Sequence, residues 1–208
     1  WRNTKLRNEA VAKSFENENS KSMLGRFTRM MDCGAYLKFA VSPSGDKRLF
    51  SANFCRDRMC PGCQKRRSLV IFHQVKNICS SIQKDFPTYK YLLLTLTVPN
   101  VKAEQLSDEI KHLHASWERM SRRAFFKKSI KGWFRALEVT YNGDRDDFHP
   151  HIHVLLCVPS GYFKKNYINQ KQWLEYWRSA TRYPNITQVD VRAIRPNPKR
   201  PDSDSISS

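Results

Sequence analysis

Between Trp133 and Val158 the sequence reads WFRALEVTY, then NGDRDD, then FHPHIHVLLCV, and few folds accommodate that pattern. Two apolar runs flank a segment of turn formers, which is the signature of an antiparallel hairpin. Side chains alternate across a strand, so His149, His151 and His153 fall on one face. Three imidazoles in a row are costly to bury unless something binds them. A hairpin pivoting between Asp144 and Arg145 sets Glu138 opposite His151, with small Ala136 opposite His153. Two imidazoles and one carboxylate on one face leave coordination positions open, which suits an ion that must also hold a substrate oxygen. The alternative is a hairpin of solvent-exposed histidines, and the apolar run that Glu138 precedes argues for burial instead. His149 is the weakest member, because Pro150 restricts its backbone and it lies near the turn.

A second constellation lies upstream. Cys55, Cys60 and Cys63 stand in FCRDRMCPGC, and Cys33 in DCG. Segments 35–41 and 48–54 read as a hairpin around the turn SPSGDK, which brings Cys33 toward Cys55. The N-terminal segment WRNTKLRNEAVAKSF lacks the apolar core of a signal peptide, and a cytoplasmic location is the expectation. There, such spacing points to metal rather than disulfides. Cys60-Pro61-Gly62-Cys63 is a knuckle that lets two thiolates grip one Zn²⁺, and four thiolates would close a structural tetrahedral site. A redox CxxC pair and unrelated buried thiols are the competing readings. Cys79 and Cys157 sit in apolar periodic segments and read as core residues.

The remaining chain supplies a fold class. Residues 5–31 read as helical with a polar interruption at ENENSKS, and an apolar-periodic helix runs from about Gln64 to Ile82. YKYLLLTLTV (89–98) is a buried strand stopped by Pro99-Asn100. Residues 102–129 carry helical periodicity. Asn169 with Gln172 opens a further helix, and ITQVDVRAI (186–194) alternates as a final strand. From residue 89 the order is strand, helix, strand, strand, helix, strand. It implies an α+β fold: a central antiparallel sheet with helices, plus an N-terminal helical and zinc-knuckle module. The expected organisation is a helical and zinc module over 1–84, a catalytic core over 85–195, and a linker over 196–208.

Charge then narrows the partner. Lys and Arg number 37 against 19 Asp and Glu, a formal net charge of +18. Such an excess attracts polyanions through counterion release, and nucleic acid is the expected partner. Two clusters are candidate DNA contacts: Arg56, Arg58, Arg66 and Arg67 around the knuckle, and Arg122, Arg123, Lys127 and Lys128 further on. Solvated charged faces, or for the second cluster a basic membrane-surface helix, are the competing readings. No apolar run approaches the roughly 20 residues needed to span a bilayer, and no membrane partner is expected.

With these residues in view the chain resembles a known family. HPHIHVLL resembles the His-hydrophobe-His motif of the HUH endonucleases, and YLLLTLTVPN their first conserved strand. Together with FCRDRMCPGCQKRRSL, GWFRALEVTYN and ITQVDVR, the pattern is similar to the replication initiator (Rep) proteins of small Gram-positive rolling-circle plasmids, from about residue 33 to 195. The resemblance implies an HUH/RRM-like sheet on which His151, His153 and Glu138 bind a catalytic Mn²⁺ or Mg²⁺. It implies metal-dependent nicking and joining of single-stranded plasmid origin DNA through a phosphotyrosine, with the host helicase and polymerase as partners. An HUH transposase or relaxase, and a non-enzymatic zinc protein that binds nucleic acid, are the other readings.

The nucleophile is expected outside this chain. Glu175 and Tyr176 are adjacent on a helix, so they point about 100° apart and cannot easily serve one phosphate. The resembling family carries a Glu and a Tyr spaced by four on a later helix, where both share one face. No such pair follows the final strand, so the catalytic tyrosine is expected after Ser208. The first residue is Trp1 rather than Met, which also leads us to expect a longer protein.

Overall fold

The computed structural model describes residues 2–16 and 20–194. The expected linker over 196–208 lies outside the described residues. The chain divides into two compact units, Trp1–Val75 and Lys76–Ser208. The division falls within a long helix, before the boundary that sequence places after residue 84.

In the second unit the buried strand of the sequence is β3 (Lys90–Thr97), and it lies inside a four-stranded antiparallel sheet. With β4 (Gly132–Asn142), β5 (Asp147–Val158) and β6 (Asp190–Ala193), the strand order is β4-β5-β3-β6. Leu92, Leu94 and Leu96 of β3 and Ile152, Val154 and Leu156 of β5 share one face and are all buried. Helices α4 (Ala103–Ser121) and α7 (Gln170–Thr181) cover that face, contributing Leu113, Trp117, Met120, Trp173 and Trp177 to one core. Six branched or aliphatic side chains under these large helical ones exclude water from the sheet centre, which is the main stabilising contribution here. The opposite face carries Thr95, Thr97, His151 and His153.

Local chemistry explains most boundaries. Asn169 accepts from the Gln172 N–H at 2.9 Å while the Gln172 side chain accepts from the Asn169 N–H at 3.0 Å, a complete capping box at the start of α7. The expected helix over 102–129 is broken into α4 and α5 (Ala124–Ser129), because Arg123 adopts an extended backbone at the junction. A short helix α6 (Tyr162–Lys165), unforeseen in the sequence, is anchored by the fully buried Tyr162.

Two further expectations need correction. The final strand spans only Asp190–Ala193 rather than 186–194. Ile186 and Val189 are both buried, and helix side chains take their carbonyls: Arg178 Nε donates to Ile186 O at 2.6 Å and Gln170 Nε2 to Val189 O at 2.7 Å. Those acceptors are satisfied without a strand partner. Likewise, the run after Glu138 is not core. β4 is an edge strand, and Val139 and Tyr141 remain 37% and 56% exposed.

The first unit holds α1 (Arg2–Lys13), α2 (Lys21–Met31), the hairpin β1 (Leu37–Val41) and β2 (Lys47–Ala52), and the start of α3 (Pro61–Asp85). Its buried centre is small: Ala12, Met30, Cys33 and Cys60, with Phe15, Phe27, Phe54, Cys55 and Cys63 packed around it. The cysteines are therefore the core of this unit, which is the usual condition of a module too small to be held by apolar burial alone.

Candidate metal centre and nucleic-acid interface

The β4–β5 hairpin has the register that the sequence implied. Glu138 pairs with His151 and Ala136 with His153. The Glu138 Oε2 lies 3.1 Å from His153 Nε2 and 3.5 Å from His151 Nε2. All three ligand atoms fall within 4.8 Å of one another. Donors each about 2.1 Å from one octahedral ion sit about 3 Å apart, so the trio fits a single divalent cation.

Each imidazole is held from behind. His151 Nδ1 lies 3.2 Å from the His149 carbonyl, which can only accept, so Nδ1 carries the proton and Nε2 presents its lone pair. His153 Nδ1 lies 3.0 Å from Thr95 Oγ1 on β3, and the hydroxyl can accept in the same way. His151 is buried, while the Glu138 and His153 side chains are 54% and 37% exposed, so a substrate oxygen can reach the ion position. His149 is not part of the trio. Its imidazole packs on His151 with ring centroids 5.2 Å apart, and burial together with neighbouring His151 holds its pKa below the usual value. Sequence reasoning missed Thr95. Its signal is the alternation in LLLTLT, but using it requires knowing that β3 is the other neighbour of β5.

The four cysteines converge in the first unit. The Sγ atoms of Cys33 and Cys63, of Cys55 and Cys63, and of Cys60 and Cys33 are each 3.6 Å apart. Thiolates at about 2.3 Å from a tetrahedral zinc sit about 3.8 Å apart, whereas a disulfide needs about 2.05 Å. The donor set therefore fits one structural ion. Pro61 begins α3, where its missing N–H costs nothing, and Gly62 donates its N–H to Asn8 Oδ1 at 2.8 Å. A Cβ on Gly62 would meet Asn8 Nδ2 at 3.1 Å, so glycine permits the close approach of α1. Burial pushes the thiols of Cys33, Cys55 and Cys63 up to about 11. Burial also opposes a thiolate at Cys60, but the Cys63 N–H and the neighbouring thiols outweigh it and bring that pKa below its usual value.

Around the knuckle, Arg56, Arg58, Arg66 and Arg67 line a cleft of about 500 Å³ together with Phe50 and Phe54. The Arg66 guanidinium lies over the Phe54 ring at 4.5 Å. Asp57, the acid in this wall, is held by Arg26 at 2.8 and 3.0 Å, and that hydrogen-bonded pairing keeps its carboxyl below the usual range. The second basic cluster lies in the helical layer. Arg122 pairs with Glu118 at 3.2 Å, and Arg123 donates to Ser179 Oγ at 2.9 Å. Lys127 and Lys128 stand exposed on α5. This cluster belongs to the layer that covers the sheet face opposite the histidines. Cys79 and Cys157 are buried core residues. Among the described residues, no helix is long and apolar enough to cross a membrane.

Comparison with known proteins adds a family. The sequence profile of the family described as Replication protein matches residues 46–208. A Protein rep of Streptococcus pneumoniae is 36% identical over 198 residues, covering 94% of this chain and 61% of that protein. A Protein rep of Bacillus amyloliquefaciens is 35% identical over 200 residues, covering 94% and 59%. One from Staphylococcus aureus is 39% identical over 173 residues, covering 80% and 73%. The chain thus spans about three-fifths of the length of the first two relatives. No solved structure matches.

Proposed function

This chain belongs to the replication protein family, and on that premise we propose that it is the metal-binding part of a plasmid rolling-circle initiator that nicks and rejoins single-stranded origin DNA. The observation that carries the reading is the convergence of Glu138 Oε2 with the Nε2 atoms of His151 and His153 on one sheet face. In this reading residues 85–195 form an HUH-type endonuclease core and residues 1–84 a zinc module, working in the cytoplasm with the host helicase and polymerase.

A bound Mn²⁺ or Mg²⁺ would polarise the scissile phosphate and stabilise its developing charge. Imidazole ligands favour Mn²⁺ over Mg²⁺. Glu138, His151 and His153 would hold the ion, while the His149 carbonyl and Thr95 hydroxyl fix which ring nitrogen would face it. A tyrosine oxygen then bonds to phosphorus as the P–O3′ bond breaks, and the tyrosine proton passes to the 3′ oxygen. The products are a 5′-phosphotyrosine and a free 3′-OH that primes synthesis. Among the described residues no tyrosine hydroxyl is hydrogen-bonded to the trio. Those of Tyr91, Tyr141 and Tyr183 are engaged with Cys79 O, Asp146 and Glu109. Following the family pattern of a Glu and a Tyr spaced by four on a later helix, we assign the nucleophile outside the described residues. Cys33, Cys55, Cys60 and Cys63 would hold a Zn²⁺, which would stabilise the fold of the first unit. Arg56, Arg58, Arg66 and Arg67 take phosphates, and Arg122, Arg123, Lys127 and Lys128 do so from the helical layer. A transposase or relaxase would use the same trio, but the matching family is described as Replication protein and every relative named above is a Protein rep. A purely binding zinc protein would leave the trio without a reason.

The test is nicking of a labelled single-stranded origin oligonucleotide, in Mn²⁺ or Mg²⁺, by the full-length protein that carries the tyrosine. His151→Ala and His153→Ala should each abolish cleavage and spare salt-sensitive DNA binding. Cleavage that survives both substitutions would refute the reading. A covalent adduct mapped to Tyr167, Tyr176 or Tyr183 would overturn the assignment of the nucleophile.

A further inference from the structure

Beside the metal trio, the described residues form a cleft of about 740 Å³ that the nicking chemistry does not use. Its floor continues the histidine face: Thr97 pairs with His151 in the β3–β5 register, and Thr140 pairs with His149 in the hairpin. One wall is the turn between β4 and β5, and it is pinned. Lys102 Nζ donates to the carbonyls of Arg145 at 2.8 Å and Asp146 at 3.1 Å, and the Tyr141 hydroxyl donates to Asp146 at 2.8 Å. The other wall is the segment from Asn185 to Gln188, held by buried Ile186 and by the Arg178 bond to its carbonyl.

Pinned backbone contrasts here with unengaged side chains. Among the described residues, the exposed amides of Asn185 and Gln188 and hydroxyl of Thr187 make no hydrogen bond to protein, so they stand open to a ligand in the cleft they line. Asn142 spends its Oδ1 on the N–H groups of Asp144 and Arg145, which leaves its NH₂ free. The lining is thus rich in neutral groups that both donate and accept. A phosphate site would need cations, yet Arg145 is the cation among the described lining residues and its Nε is tied to Asp147 at 3.0 Å. An apolar ligand would leave the amides unpaired. What matches neutral donor–acceptor groups carried on a pinned backbone is the edge of a nucleobase, which Asn and Gln side chains engage bidentately. The volume lies within the range of about 300–1,000 Å³ typical of small-molecule sites.

We propose that this cleft is a base-reading subsite, which takes the nucleobase next to the scissile phosphate and reads its edge through Asn185 and Gln188. The proposal rests on the strand-nicking reading, since the trio is what puts a phosphate beside the cleft. It assigns sequence discrimination to the loop before β6 and to the β4–β5 turn, while the arginines of the first unit supply affinity without base preference.

A binding selection tests it. The wild-type chain and the double variant Asn185→Ala/Gln188→Ala are each incubated, in Mn²⁺, with single-stranded oligonucleotides randomised over a short window, and the retained pool is sequenced. Wild type should enrich particular bases at one or two adjacent positions. The double variant should lose that preference, with discrimination at those positions falling about 10-fold. Its affinity for an abasic oligonucleotide of equal length, read by fluorescence anisotropy, and its Mn²⁺ binding by calorimetry should both stay within twofold. A variant that keeps the wild-type preference, or one that loses all oligonucleotides equally, would overturn the subsite. So would a wild-type chain that binds single strands with no base preference. A wild-type chain that binds neither Mn²⁺ nor single-stranded DNA would instead sink the nicking reading, and the subsite with it.

Discussion

Replacing Thr95 by Val separates a positioning role from a merely structural one. The two side chains have nearly the same shape and both are β-branched, so β3 keeps its packing and strand preference. What disappears is the hydroxyl 3.0 Å from His153 Nδ1. Without it, the ring is free to flip or to carry its proton on the nitrogen that must face the ion. Loss of such a supporting partner typically costs 10- to 100-fold in metal affinity, or about 1.4–2.7 kcal/mol. The lower end applies here, because the His153 side chain is 37% exposed and water can take over part of the bond. His151 has its own support in the His149 carbonyl and is unaffected. We expect Mn²⁺ affinity to fall about tenfold by calorimetry, Thr95→Ser to restore most of it, and stability to change by less than about 0.5 kcal/mol. Affinity within twofold of wild type would refute a role for this hydroxyl in setting the ring.

Zinc binding to the first unit should release at least about three protons at neutral pH, one each from the thiols of Cys33, Cys55 and Cys63 that burial has raised to about 11. Calorimetry in buffers of different ionisation enthalpy counts them, and release of one proton or fewer would contradict the four-thiolate site. The sign of the pH effect reverses without metal: raised thiol pKa values stabilise the protonated fold below the ordinary thiol range, and that contribution disappears as pH rises through about 11. Urea titration of chelated protein at increasing pH should show it. Trp177→Phe removes the 2.7 Å bond from the buried indole Nε1 to the Thr97 carbonyl and should cost roughly 1–3 kcal/mol, read as a lower urea midpoint with an unchanged slope. An unchanged midpoint would mean that water satisfies that carbonyl. Arg66→Ala with Arg67→Ala should reduce the slope of log affinity against log salt by about 0.7 for each phosphate no longer neutralised, and an unchanged slope would remove these residues from the DNA surface.

What was legible in the sequence is what a single element or one tight connection encodes. Alternation along β4 and β5 and the length of the turn were enough to pair Glu138 with His151, since a hairpin register depends only on its own residues. The capping box of Asn169 and the CPGC knuckle are likewise local. What was not legible depends on which elements become neighbours. Thr95 faces His153 only because β3 pairs with β5, a partnership that no pattern within either strand specifies. The exposure of Val139 and Tyr141 follows from the place of β4 at the sheet edge, and strand order is invisible to periodicity. The shortened β6 follows from Arg178 and Gln170 capturing carbonyls across a helix–strand interface.

The split origin of the trio and its support also orders events in time. Glu138, His151 and His153 belong to one hairpin, whose closure is a microsecond process over a short loop. Thr95 is 58 residues away from His153 along the chain, and it arrives only when β3 docks, a non-local step that carries the larger entropy cost of closing a long loop. The nascent hairpin can therefore gather three ligands before anything fixes the second imidazole. On the proposed metal reading, tight capture of an ion would wait until the sheet is complete, so an ion held firmly would report a finished fold.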